Sequence, residues 1–72
     1  MQQQTDVQLT VSTMEHRILM LLSEGKQSKE IAVDLTRSKP TVEFRIRTLY
    51  AKLGARSRAH LVALAYRSGL IS

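Results

Sequence analysis

Apolar positions recur along the chain with a helical period, and no stretch alternates as a strand would. Met14, Ile18, Leu19, Leu21 and Leu22 fall on successive turns behind Ser12, and Glu15 stands three places after that serine. Ser12 and Glu15 therefore form a capping box that opens a first helix over 12–24, which Gly25 stops. A short second helix follows over 28–36, with Ile31, Ala32 and Leu35 as its apolar face and only Gln27 or Ser28 to cap it. Ser38, with Pro40 in the first turn, opens a third helix over 39–53, and Gly54 ends it. Ser57 caps a fourth that runs to about 68, where Gly69 closes it and Leu70 and Ile71 fold back. All three glycines thus stand where a left-handed residue is wanted after a helix. The pattern predicts an all-α domain of four helices over 11–72, behind a glutamine-rich, aperiodic segment, residues 1–10, expected to be a flexible arm.

The third helix, written SKPTVEFRIRTLYAKL with its cap, places its residues unevenly. At about 100° per residue, Val42, Ile46, Leu49 and Leu53 form one narrow inward stripe. Pro40, Phe44, Arg47, Thr48 and Ala51 then lie on the opposite face. Glu43 and Tyr50 occupy one flank, Arg45 and Lys52 the other. The only phenylalanine of the chain is nearly antipodal to the core stripe, so it cannot pack inside while the helix keeps its register. An exposed aromatic among arginines suits a helix that reads DNA: in the major groove Arg pairs with guanine O6 and N7, and apolar groups meet the thymine methyl. Glu43 accepts from cytosine N4 by the same code. The competing reading packs Phe44 against the N-terminal arm or a partner subunit.

Charge sharpens the picture. The net charge is +5, but the segment 37–58 alone carries seven cations against the single acid Glu43, and everything else sums to slightly negative. Such confinement is the footprint of a polyanion binder, with a merely solvated basic surface as the alternative. Phosphate contacts are expected from helix starts and the cationic rim: Lys29, Lys39, Thr41, Arg45, Lys52, Arg56 and Arg58. For Arg56 or Arg58 the other possibility is to cap the carbonyl end of the third helix or to pair with an acid on the first. The order short helix, glycine-free turn at 36–38, longer basic helix is that of a helix-turn-helix, with the first helix in front as a brace.

From Val11 to Ile71 the chain resembles the LuxR/GerE-type helix-turn-helix domain of bacterial transcription regulators. The resemblance rests on Leu21-Leu22-Ser23-Glu24-Gly25, Ser28-Lys29-Glu30-Ile31-Ala32, Leu35, Ser38, Thr41-Val42, Lys52-Leu53-Gly54, Arg56-Ser57-Arg58 and Gly69-Leu70-Ile71, in order and without gaps. It implies four helices, the third of them reading DNA, and dimers made largely through the fourth. It also implies that the positions of Glu43, Phe44 and Arg47 face bases. Three departures stand out: Val11-Ser12 where the family has Leu-Thr, Glu43 where lysine is common, and Arg45 where histidine is common.

The fourth helix carries Leu61, Val62, Leu64 and Ala65, with Ala59, Ala63 and Tyr66 alongside, on more than one stripe. Leu61, Leu64 and Ala65 are the expected homodimer interface of a two-fold reader; in the plainer reading Leu64 and Tyr66 only cover the core edge. Other chemistry has little material. There is no cysteine, His16 and His60 sit on different helices, and no Ser-His-acid set or phosphate-cradling glycine loop occurs, so no metal, cofactor or enzyme activity is expected. With neither a signal peptide nor a membrane-length apolar run, cytoplasmic residence is expected. The expected partner is double-stranded DNA. The alternative is a protein-interaction module that sequesters a larger regulator or contacts RNA polymerase. With no sensor ahead of the helices, abundance, modification or a partner sets its activity, or the chain is the terminal piece of a longer regulator.

Overall fold

The computed structural model describes residues 11–72, so the arm expected over residues 1–10 lies outside the described residues. Four helices follow one another: α1 (Thr13–Ser23), α2 (Ser28–Leu35), α3 (Lys39–Leu53) and α4 (Arg58–Arg67), with no strand among the described residues. The all-α architecture is as the periodicity predicts, with ends one residue shorter at α1, α2 and α4.

Local chemistry explains each end. At α1 the Glu15 N–H donates to Ser12 Oγ (3.1 Å) while the Ser12 N–H donates to Glu15 Oε1 (3.0 Å), so the capping box forms in full. At α2 it is Gln27 and not Ser28 that holds the cap position, and its N–H donates to Glu30 Oε1 at 2.8 Å. Ser38 Oγ accepts from the Thr41 N–H at 3.2 Å to start α3, and Ser57 Oγ accepts from the His60 N–H at 3.1 Å to start α4. Gly54 ends α3 at φ +71° with open space around a would-be Cβ, so its requirement is backbone conformation alone.

One terminator departs from the glycine rule. Thr36 ends α2 in the left-handed region (φ 56°), and the Arg37 N–H donates to the Ala32 carbonyl at 2.9 Å, the six-to-one closure of a Schellman turn. A β-branched residue is strained there, by roughly 1–3 kcal/mol. The helix-turn-helix corner therefore forms against local preference, held by what packs around it.

What packs around it is a single core: Ile18, Leu19 and Leu22 from α1, Ile31 and Ala32 from α2, Val42, Ile46 and Leu49 from α3, Leu61 and Ala65 from α4, closed by Leu70 and Ile71. The tail is pinned twice, since the Leu70 N–H donates to the Ala65 carbonyl (2.9 Å) and the Leu70 carbonyl accepts from His16 Nε2 (2.7 Å). His16 is thus a structural tie between the first helix and the last residues. α3 meets α1, α2 and α4 alike, so its orientation is fixed from three sides.

Candidate nucleic-acid interface

Because Val42, Ile46 and Leu49 are buried, the register of α3 is set and its other face turns outward. Phe44 is 58% exposed, which excludes a place in its own subunit's core. Arg47, one turn along, lies with Cζ 6.0 Å from the Phe44 ring centroid, at the outer range of a cation–π contact. Thr48, which shares this face, turns its hydroxyl back to the Phe44 carbonyl (3.0 Å) and so offers its donor to its own helix.

The flanks of α3 differ in kind. On one, Lys39, Glu43, Arg47 and Tyr50 border a shallow cleft whose far wall is Ser28 and Lys29 at the start of α2 and Arg58 at the start of α4. Two helix starts, with their unpaired amides, thus converge with four cations. Glu43 is the acid in this cleft and sits 3.9 Å from Lys39, an exposed i,i+4 pair worth well under about 1 kcal/mol. Arg56 does not line the cleft; its backbone N–H donates to His60 Nδ1 at 3.0 Å, which shapes the α3–α4 loop.

The other flank carries a charge cluster that the sequence reading did not show. Lys52 donates to Glu15 Oε1 at 2.8 Å and Arg45 stands 4.0 Å from Glu15 Oε2. Glu15 is 1% exposed, a carboxylate inside the core wall. Lys52 and Arg45, expected as phosphate contacts, are turned toward the α1 carboxylate because a buried charge must be paired. The acid on the first helix is accordingly partnered by these two and not by Arg56 or Arg58. Burial alone would push the Glu15 carboxyl up; the Lys52 hydrogen bond, the Ser12 amide and the charges of Lys52 and Arg45 outweigh it and hold the group below the ordinary carboxylate value. The signal was present in the sequence: Glu15 shares the 15-18-19-22 stripe with three core aliphatics.

The sequence reading is corrected at α4. Leu61 and Ala65 are each 0% exposed and belong to the subunit's own core, so they cannot form a surface for a second copy. One turn apart on the inward side of α4, they close the core against the other helices. Leu64 is half-buried beside Lys52, Leu53 and Arg67. The outward stripe of α4 is Ala59, Ala63 and Tyr66, of which Tyr66 is 49% exposed. No group of three or more metal-capable side chains occurs among the described residues, and no helix there is long and apolar enough to cross a membrane.

A four-helix core that presents the outer face of its third helix beside a cationic cleft defines a helix-turn-helix domain of the DNA-binding class. Residues 9–65 match the model of the bacterial regulatory proteins of the luxR family. The chain belongs to that family, whose members are DNA-binding regulators of transcription. Among similar proteins, the transcriptional regulatory protein YdfI of Bacillus subtilis is 39% identical over 70 residues, which are 97% of this chain and 32% of that protein. The response regulator Rre1 of Synechocystis is 38% identical over 64 residues, 89% of this chain and 28% of its own. The transcriptional repressor ThaA of Burkholderia thailandensis is 38% identical over 61 residues, 85% and 26% respectively. The chain spans about a third or less of the length of these relatives.

Proposed function

We propose that this domain binds double-stranded DNA sequence-specifically, with α3 in the major groove, and regulates transcription as a homodimer. The observation that carries the reading is the outward pairing of Phe44 with Arg47 on a helix whose register is fixed by buried aliphatics. A groove about 12 Å wide admits one such helix. Arg47 and Phe44 meet base edges; Glu43, on the flank, accepts from cytosine and repels phosphate, so it filters sites more than it adds affinity. Lys29, Lys39 and Arg58 hold the backbone on the cleft side, where the starts of α2 and α4 add their dipoles, and Thr41 and Arg56 hold it outside the cleft. Arg45 and Lys52 serve chiefly as struts to Glu15.

The second copy docks on the outward stripe of α4, Ala59, Ala63 and Tyr66, with Leu64 at its edge. Each subunit then reads a half-site about one helical turn from the other. Selection of bound sequences from random duplex DNA tests the whole reading. A two-fold motif is expected, and no enrichment of any sequence would contradict it in favour of a protein-interaction module.

A further inference from the structure

We infer that Phe44 and Arg47 act as one reading unit for a two-base step, a thymine beside a guanine, with the thymine 5-methyl against the Phe44 ring and the guanine O6/N7 edge on Arg47. The inference rests on the groove reading above and narrows it to a ligand chemistry. The two side chains are three residues apart and so share a ridge of α3. Their separation of 6.0 Å from guanidinium to ring centroid lets them engage neighbouring pairs on a strand that rises about 3.4 Å per base.

Each half of the assignment follows from what the side chain can satisfy. A phenyl ring has neither donor nor acceptor, and over most base edges it would strip water from polar atoms without replacing the lost bonds. The thymine methyl is the one apolar group the major groove displays. Arg47 needs paired acceptors for its fork of donors, and guanine alone presents two on one edge. Among the described residues Arg47 enters no ion pair: Lys39 takes Glu43, and Arg45 and Lys52 take Glu15. The Phe44 ring centroid lies 6.0 Å from the guanidinium carbon, so the two side chains stand side by side on the outer face of α3.

The test uses the duplex enriched by selection and measures affinity after single-atom changes. Deoxyuridine in place of the contacted thymine, which removes only the methyl, should weaken binding about fourfold, the worth of one buried methyl-sized group. Other thymines should tolerate the change. Replacing the neighbouring guanine by 7-deazaguanine should weaken binding about tenfold. In Phe44→Ala, a surface substitution whose helicity circular dichroism can verify, the deoxyuridine effect should vanish. In Arg47→Ala the deazaguanine effect should vanish. Specific binding in which no thymine methyl matters, or a deoxyuridine effect that persists in Phe44→Ala, would overturn the inference while leaving the groove reading in place. Absence of any enriched duplex would remove both.

Discussion

At the scale of the residue, two side chains work against their local surroundings and one works with them. Thr36 sits in the left-handed region that asparagine tolerates better. Thr36→Asn should therefore stabilise the domain by about 1 kcal/mol, read as a rise in melting temperature of about 4–8 °C. Glu15 is the other strained choice, a carboxylate at 1% exposure. Its proton affinity is lowered by folding, so its contribution is full above the unfolded value of about 4.3 and is lost as pH falls through the lower folded value. Glu15→Gln should flatten that acid limb in urea melts and cost about 1–3 kcal/mol at neutral pH. An unchanged acid limb would show that the carboxylate is not what the low-pH loss reports. Phe44, by contrast, agrees with its surroundings, because the wheel that sends Val42, Ile46 and Leu49 inward leaves it no other place.

At the scale of the element, the helices were legible because their punctuation is chemical. Ser12 with Glu15, Ser38, Ser57 and the three glycines each satisfy a helix end that would otherwise be open. The α2 terminus was less legible: nothing in a threonine announces a positive φ, which appears only with the turn that the Thr36 and Arg37 N–H groups close onto Val33 and Ala32. The site divided in the same way. Helical angle alone separated the Phe44–Arg47 face from the core, but it could not tell which cations on the flanks have a protein partner. Arg45 and Lys52 look like rim charges until α1 is placed beside them. On α4 the angular spread of apolar residues was visible, yet the choice of Leu61 and Ala65 as outward needed a direction that only the fold supplies. The Glu15–Lys52 strut joins α1 to α3 and so holds α3 in place. Lys52→Ala leaves a buried carboxylate with only Arg45 and the Ser12 amide and should destabilise toward the lower end of about 3–5 kcal/mol, more than Glu15→Gln does. Equal losses would mean that the strut is not a buried pair in the energetic sense.

At the scale of the whole molecule, a chain of 72 residues has little core to spend on anything but shape. Its surface is therefore where function is written: a cationic cleft on one side of α3, and on α4 a stripe of small residues ending in an exposed tyrosine. Tyr66→Glu changes a side chain that the subunit does not need for its interior. It should halve the sedimentation mass at micromolar concentration while leaving far-ultraviolet circular dichroism unchanged. An unaltered mass would contradict the proposed dimer contact on this stripe.

The central claim is that α3 enters duplex DNA with Arg47 on bases and its flank cations on phosphates. The most direct measurement compares Arg47→Ala with Lys39→Ala on the selected duplex and on scrambled DNA, across a range of salt. Arg47→Ala should cost about 1–3 kcal/mol on the selected duplex alone and relax preference at one base pair. Lys39→Ala should weaken both duplexes alike and reduce the log–log salt slope by about 0.9. If the two variants lose affinity equally on every sequence, Arg47 reads no base and the claim is wrong.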